Sequence, residues 1–235
     1  MPQRSMSDPN AAGCDAYERA RITGGESVAE LYELTAAILA DTNTRGVTVV
    51  DVGCGRGEAW KYLNRFYTQY IGVDLIAYDG FPSDGRFVEA NLNTDRIDLP
   101  DAVADLVLSI ETIEHLENPR ALARELVRLA KPGARVMIAT PNILSLNSLA
   151  LLLRRRRFAY FQDADYPAHI TPILEVDLER IAAESGLSEV ALHYSWDGRN
   201  VLTGRPYPRF LTKRFPRACS DFVLLVGRKK VARVP

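Results

Sequence analysis

A glycine-rich turn is the first feature of this sequence that could bind a ligand. The motif reads Asp51-Val-Gly53-Cys54-Gly55-Arg-Gly57. Glycine at every second position lets the backbone turn tightly and approach a ligand closely. The predicted helix that follows, residues 58–66, presents free N–H groups and a positive dipole end, which suit the polar part of a nucleotide-like cofactor. A tight strand–helix turn without a ligand is the alternative interpretation.

A second carboxylate lies about 20 residues after the turn, at the end of another predicted strand. Asp74 closes the run at residues 70–74, and a carboxylate there can accept hydrogen bonds from both hydroxyls of a ribose. NAD and S-adenosylmethionine both contain a ribose. The spacing argues against NAD, because Gly57 comes one residue earlier than the last glycine of G-x-G-x-x-G. Asp51 also suits a cofactor end that bears an ammonium group, and it would repel a pyrophosphate.

Two acids and a histidine follow the strand predicted at residues 104–110. The sequence Glu111-Thr-Ile-Glu114-His115 places its three ionisable side chains on one face if the segment is helical. In one interpretation His115 is a general base, since imidazole titrates near neutrality. In a second, the three residues bind a divalent metal together with His169. In a third, Glu114 and His115 only bond to backbone groups and orient the loop.

Strands and helices that position these residues alternate between residues 47 and 139. Short apolar or β-branched runs predict buried strands at 47–51, 70–74, 85–90, 104–110 and 135–139. A capping box, Ser27-Val-Ala-Glu30, predicts a helix at 27–40, and an amphipathic pattern predicts another at 118–130. The alternation predicts an α/β fold with a doubly wound, mainly parallel sheet and helices on both faces.

The last third of the chain is less regular. Its patterns predict helices at 143–156 and 175–185, strands at 188–194 and 220–227, and a long loop at 197–217. We expect a single domain at 26–235 after a flexible N-terminus at 1–25. Within it, residues 143–172 and 197–217 are expected to form lid or substrate insertions.

Four motifs, in order along residues 47–142, resemble those of class I S-adenosylmethionine-dependent methyltransferases. They are Val-Val-Asp51-Val-Gly-Cys-Gly-Arg-Gly57, Gly-Val-Asp74, Ala-Asp-Leu-Val-Leu-Ser-Ile-Glu-Thr-Ile-Glu-His115-Leu-Glu-Asn-Pro and Leu-Val-Arg-Leu-Ala-Lys-Pro-Gly-Ala-Arg-Val-Met-Ile-Ala-Thr-Pro-Asn142. The resemblance implies a seven-stranded Rossmann-like sheet with a final antiparallel strand, and S-adenosylmethionine as the cofactor. It also implies methyl transfer to a small-molecule or sugar-like acceptor, chiefly at oxygen, by in-line displacement. Tyr166-Pro-Ala-His169-Ile-Thr-Pro is similar to methyltransferases of bacterial surface-polysaccharide clusters.

The resemblance also implies roles for individual positions. The methionine end of the cofactor would contact Asp51, Gly53, Cys54, Gly55 and Gly57. The ribose and adenine would contact Asp74, Leu75, Asn91 and Leu92, although Asn91 stands where the family usually has aspartate. Beneath the sulfonium, facing the substrate, would lie Ile110 and Glu111. The catalytic candidates are His115 and Glu114.

Three alternatives to this function remain open at the level of sequence. The first is a metal-dependent RNA or quinol O-methyltransferase that uses Glu111, Glu114, His115 and His169, since the ExxEH pattern with a later histidine resembles such enzymes. The second is a non-catalytic subunit that binds the cofactor and serves a partner. The third is a nicotinamide oxidoreductase.

Composition and charge limit the class of protein and its partners. The chain has 235 residues, of which 47% are hydrophobic and 25% charged, so a disordered or collagen-like chain is excluded. Three cysteines without CxxC spacing argue against a disulfide framework and favour a reducing, cytoplasmic location. We expect no membrane span and no DNA partner.

The net charge of −1 conceals an uneven distribution. Residues 1–120 hold 10 Lys and Arg against 20 Asp and Glu, and the basic excess of the second half is concentrated at residues 154–157 and 205–217. These basic clusters are either solvated surface or a site for an anionic partner, such as a phosphorylated acceptor, a nucleotide-sugar or a lipid head group.

Overall fold

Seven strands form one sheet in the computed structural model, which describes residues 11–201 and 203–231. The strands are β1 (Thr48–Val52), β2 (Gln69–Asp74), β3 (Arg86–Glu89), β4 (Ala104–Ile110), β5 (Ala130–Pro141), β6 (Leu187–Tyr194) and β7 (Phe222–Lys229). The helices are α1 (Ala11–Thr23), α2 (Ala29–Asp41), α3 (Trp60–Leu63), α4 (Pro119–Leu129), α5 (Leu146–Arg155), α6 (Glu175–Glu184), α7 (Arg209–Arg214) and α8 (Pro216–Cys219).

The strand order is β3-β2-β1-β4-β5-β7-β6. The first five strands are parallel, whereas β7 runs antiparallel to both β5 and β6. The predicted doubly wound, mainly parallel α/β sheet is therefore confirmed. The chain reverses its direction across the sheet between β1 and β4, and ligands of such sheets bind at the carboxyl ends of the strands beside this switch point.

Alternating residues of the central strands fill two cores, one on each face of the sheet. On β1, Val50 and Val52 point into the core that is covered by α4 and α6, whereas Val49 points into the core covered by α2 and α3. Both faces of the central strands are buried, which explains their nearly continuous apolar sequences.

Several element boundaries differ from the predictions because of contacts that are distant in sequence. Helix α2 begins at Ala29, and the predicted Ser27–Glu30 capping box does not form the cap: Val28 is the N-cap residue, and its N–H is bonded to the Glu111 carboxylate at 2.9 Å. Within the N-terminus predicted to be flexible, residues 11–23 form α1, and the Tyr78 hydroxyl donates to the Ala20 carbonyl and ties α1 to the loop after β2. Residues 1–10 lie outside the described residues.

The insertion predicted at 197–217 contains more helix than expected, and the insertion predicted at 143–172 contains less. The predicted loop at 197–217 holds α7 and the first half of α8, and α5 is shorter than predicted. No helix within residues 11–201 and 203–231 combines the length and the apolar character that crossing a bilayer requires.

Candidate active site

A cavity of about 380 Å³ opens at the carboxyl ends of β1, β2 and β4, where the switch point predicts a ligand site. The predicted residues that line it are Gly53, Cys54, Gly55, Asp74, Leu75, Asn91, Leu92, Ile110, Glu111 and His115. His169, which was predicted only for the metal-binding alternative, also lines it. Three predicted residues, Asp51, Gly57 and Glu114, do not.

The turn after β1 is bonded to the end of β2. Asp74 accepts the Gly55 N–H at 2.8 Å through one carboxylate oxygen and the Leu75 N–H at 2.7 Å through the other. Burial raises the pKa of Asp74, and these backbone N–H groups act in the opposite direction. A carboxylate has about four acceptor positions, so this one retains capacity for the two hydroxyls of a ribose.

Gly55 is required where it stands because another segment of backbone lies against it. Its φ is +51°, and a Cβ built on it would lie 2.2 Å from the carbonyl oxygen of Gly25. The next residue, Arg56, donates its backbone N–H to the same carbonyl at 3.1 Å. The link between α1 and α2 therefore closes directly onto the glycine turn.

Asp51 and Gly57 lie outside the cavity wall, and their predicted contacts with the methionine end stay predictions. Asp51 is 2% exposed, and the Tyr70 hydroxyl donates to its carboxylate at 2.7 Å beneath the turn. Burial raises the pKa of Asp51 to about 6. Gly57 packs against Pro82, whose Cδ would be 2.5 Å from an added Cβ.

The condition under which Glu111, Glu114 and His115 would share one face is not met, because the segment as a whole is not helical. The Glu111 backbone has a φ of +49°, and only Ile113–His115 form a single 3₁₀ turn. The Glu111 carboxylate accepts the Val28 N–H at the beginning of α2 and lines the cavity. Burial raises its pKa, while the Val28 N–H stabilises the charged form.

The hydrogen bond of His115 determines which ring nitrogen carries the proton. Its Nδ1 lies 2.9 Å from the carbonyl oxygen of Ala168. A carbonyl only accepts, so Nδ1 carries the hydrogen and Nε2 keeps its lone pair. Burial lowers the pKa of His115, while the Ala168 and Glu111 carbonyls and the Asp74 carboxylate act against this shift. With Nδ1 bonded to Ala168, Nε2 is the ring nitrogen that could accept a proton, and His115 lines the cavity.

A second histidine and a buried acid lie next to His115. The His115 and His169 rings are 4.7 Å apart, and His169 Nδ1 is also bonded to a carbonyl, that of Tyr160. Candidate ligand atoms of Glu114, His115 and His169 all lie within 4.8 Å of one another. One Glu114 carboxylate oxygen accepts from the Thr140 hydroxyl at 3.1 Å, and the other is buried without a partner among the described residues. Burial raises the pKa of Glu114 to about 8.

Helix α1 contributes a wall of the cavity that the sequence did not predict. Ala16, Arg19 and Ala20 line the cavity from this helix, and Arg19 lies 3.7 Å from the Glu117 carboxylate. The segment 164–169 forms the opposite wall, and its Asp165 was not singled out either.

The residues present fit S-adenosylmethionine. The cavity volume lies in the range of small-molecule sites. Asp74 keeps acceptor positions for a ribose, and the apolar side chains of Leu75 and Leu92 line the same cavity. The Glu111 carboxylate supplies the negative charge that a sulfonium cation favours.

Comparison with known proteins agrees with this geometry. A family model described as "Methyltransferase domain" matches residues 24–192. The ubiquinone biosynthesis O-methyltransferase of Xanthomonas oryzae pv. oryzae is 27% identical over 194 residues, which is 74% of this chain and 78% of that protein. The probable tocopherol O-methyltransferase of Oryza sativa subsp. japonica is 34% identical over 116 residues. That match spans 45% of this chain and only 32% of the rice protein, so the chain spans about a third of that relative's length.

The fold is shared with solved structures. The structure of Burkholderia thailandensis 1,6-didemethyltoxoflavin-N1-methyltransferase, with its substrate and S-adenosylhomocysteine bound, has a TM-score of 0.62, 15% identity and coverage of 98% of this chain and 94% of that one. A methyltransferase from Archaeoglobus fulgidus has a TM-score of 0.61 at 20% identity, covering 84% and 94%. The chain therefore belongs to the methyltransferase-domain family, and it shares its fold with these solved methyltransferases.

Proposed function

We propose that this enzyme methylates a hydroxyl oxygen of a small organic acceptor, with His115 as the general base. The observation that carries the proposal is the contact of His115 Nδ1 with the Ala168 carbonyl at 2.9 Å, which favours the proton on Nδ1 and would leave Nε2 as the acceptor of a histidine that lines the cavity. S-adenosylmethionine, when bound, supplies a methyl group that an acceptor oxygen displaces from sulfur in line. His115 would take the proton of the attacking hydroxyl.

The other residues of the cavity would bind and align the reactants. Asp74 would accept from the ribose hydroxyls, and the glycine turn would let the methionine end approach the backbone. The Glu111 carboxylate would stabilise positive charge close to the reacting centre. Alignment of this kind can lower the barrier of a one-step displacement by about 7–11 kcal/mol.

Two observations favour oxygen over nitrogen as the acceptor atom. His115, which could take the proton of a hydroxyl, lines the cavity. Two relatives are named for tocopherol and ubiquinone O-methylation. The acceptor would lie near the segment 164–169, which carries His169. A phosphorylated acceptor or a nucleotide-sugar stays a prediction. Arg154–Arg157 do not line the cavity, so they would not bind the phosphate of an acceptor inside it.

The test is a methyl-transfer assay on a panel of phenolic and quinol acceptors and nucleotide-sugars, followed by a single substitution. With an acceptor identified, His115→Gln is expected to lower kcat about 100- to 10,000-fold, since general-base catalysis has that magnitude. S-adenosylhomocysteine affinity, measured by calorimetry, should change by less than about three-fold. His193→Gln, on β6 outside the cavity, is the matched control. Full activity of His115→Gln would exclude His115 as the general base.

A metal-dependent mechanism is the second candidate, favoured by the three ligand atoms within 4.8 Å and the unpartnered Glu114 oxygen. Glu114, His115 and His169 would be the ligands; Glu111 is bonded to Val28 instead. Both histidines have Nδ1 bonded to carbonyls, which is the usual arrangement of metal-binding imidazoles. A divalent cation there would bind the acceptor oxygen and ease its deprotonation.

Titration of the protein with Mn²⁺ in the absence of acceptor, followed by electron paramagnetic resonance, separates the two mechanisms. Stoichiometric binding that His169→Gln weakens at least about ten-fold would support the metal site. The general-base mechanism predicts no stoichiometric binding, full activity in EDTA and activity of His169→Gln close to that of the wild type.

A further inference from the structure

Helix α5 contains five leucines and buries none of them. Its sequence is LNSLALLLRR, and Ser148 is its only buried residue. Leu153 is 87% exposed, and Leu146 and Leu149 are 46% and 37% exposed. Contiguous exposed apolar surface of this kind marks a site of interaction, because its exposure to water is unfavourable.

Four consecutive arginines form the end of this apolar helix and the two residues after it. Arg154–Arg157 are all exposed, and the sequence contains no acidic residue between Glu125 and Asp163. Arg157 forms a 2.9 Å ion pair with Asp163. Within the part of the chain that the structure describes, no salt bridge engages the other three arginines.

A second basic and apolar segment adjoins α5. Residues 198–220 contain six basic residues and no acidic one. Phe210 of α7 is 70% exposed and Phe215 is 50% exposed, with the Arg214 guanidinium 5.0 Å from the centre of the Phe215 ring. Helix α8, which packs on both α5 and α7, joins the two segments. We call them together the α5/α7 surface: Leu146, Leu149, Leu153, Arg154–Arg157, Phe210, Lys213, Arg214 and Phe215.

We infer that the α5/α7 surface docks onto a lipid bilayer that carries anionic head groups. Amphipathic helices rich in leucine, phenylalanine and arginine lie in the boundary between head groups and acyl chains, with their apolar face inward. Leu149 and Leu153 would enter this boundary, and the arginines that follow would pair with lipid phosphates. The inference rests on surface residues and is independent of the acceptor and of the base proposed above.

Charge argues for a bilayer over a second copy of the chain. A two-fold symmetric dimer built on this surface would bring the same patch of each copy together and would oppose two clusters of arginines. An anionic bilayer supplies both the apolar phase and the opposite charge.

The test is co-sedimentation of the purified protein with vesicles of phosphatidylcholine, with and without phosphatidylglycerol. The wild type should bind only the anionic vesicles, and added NaCl should release it. Arg154→Gln/Arg155→Gln/Arg156→Gln should weaken partitioning about 100-fold, because each basic residue near an anionic surface contributes about five-fold. Leu149→Ser/Leu153→Ser should weaken it at least about ten-fold.

The matched control is Arg120→Gln/Arg124→Gln/Arg180→Gln, which removes the same charge from exposed positions of α4 and α6. It should change partitioning less than about two-fold. Calorimetric binding of S-adenosylhomocysteine verifies that every variant is folded. The inference is overturned if the wild type does not bind anionic vesicles or if the control loses as much as the α5 variants. It is also overturned if the leucine variant converts a dimer into a monomer in sedimentation velocity without any vesicle binding, which would identify an interface between copies.

Discussion

Asp51 is a buried carboxyl that has one hydrogen-bond donor in the structure, the Tyr70 hydroxyl. Burial raises its pKa from 3.8 to about 6, while the bond from Tyr70 acts in the opposite direction and Asp74 adds to the increase. The folded protein therefore binds a proton here more tightly than the unfolded chain does. Between about pH 4 and pH 6 the unfolded state is ionised first, so ionisation of Asp51 costs stability as the pH rises.

Replacement of Asp51 by asparagine should remove this cost. The shift of about two pKa units corresponds to roughly 3 kcal/mol. Asparagine resembles the protonated acid, so we expect the free energy of unfolding of Asp51→Asn, relative to wild type, to rise by about 2–3 kcal/mol between pH 4 and pH 7. Urea unfolding at both pH values measures the difference. Asp79→Asn, at an exposed position, is the control, and a pH-independent difference for Asp51→Asn would refute the explanation.

Residue types predicted the candidates for the site well, but the backbone decided which of them line the cavity. The motif residues Gly53, Gly55 and Asp74 could be found from their spacing alone. The place of Glu111 could not, because it depends on a left-handed backbone and on the Val28 N–H, a residue 83 positions away. The same holds for Asp51, whose partner Tyr70 belongs to the next strand.

At the scale of elements, the glycine turn and the α1–α2 link form one contact that helps to close the cavity. Gly55→Ala would place a Cβ 2.2 Å from the Gly25 carbonyl oxygen, in a backbone conformation that L-residues rarely adopt. The turn and the link must then separate. We expect S-adenosylhomocysteine affinity to fall by more than about ten-fold and stability to fall by about 1–3 kcal/mol.

Gly80→Ala provides the control for this substitution. Gly80 also has a positive φ, +92°, but nothing lies within 4 Å of an added Cβ. It should lose stability through backbone strain and keep its affinity for S-adenosylhomocysteine. Equal losses of affinity in the two variants, measured by calorimetry, would show that strain rather than the contact with Gly25 is responsible.

Strands were predicted more accurately than helices. Strands β1 and β4 stand between turn residues and carry buried, mostly apolar side chains on both faces, so their sequences are distinctive. Helix α1 has no such pattern: it is held over the cavity by Tyr78 and by a bond from Tyr17 to Glu89. Its existence therefore depends on partners 58 and 72 residues away.

At the scale of the whole molecule, sheet topology explains why one cavity contains residues from so many parts of the chain. The switch point between β1 and β4 brings the ends of β1, β2 and β4 together, and the alternation of strands and helices predicted this. The approach of His169 to His115 was not predictable, because it requires the segment after α5 to fold back. The N–H groups of Ile170 and Thr171 hold that segment through bonds to the Glu114 carbonyl.

Because the walls of the cavity come from α1, the glycine turn, the end of β4 and the segment 164–169, the binding site exists only in the folded chain. A ligand that binds there stabilises the whole molecule by about 2.7 kcal/mol at 100 times its Kd. For a chain of this length, we expect S-adenosylhomocysteine at that concentration to raise Tm by about 5–11 °C. NAD at the same concentration should leave Tm unchanged, since Asp51 and the glycine spacing disfavour a pyrophosphate.

Asp74→Asn distinguishes this effect from non-specific stabilisation. It should lose most of the increase in Tm produced by S-adenosylhomocysteine, because an amide replaces one acceptor oxygen with a donor and weakens binding by about 1–3 kcal/mol. Asp79→Asn should keep the increase. Differential scanning fluorimetry of the three proteins with each ligand makes the comparison. An equal increase in Asp74→Asn would mean that the cofactor binds without the carboxylate at the end of β2, and an increase with NAD would reopen the choice of cofactor.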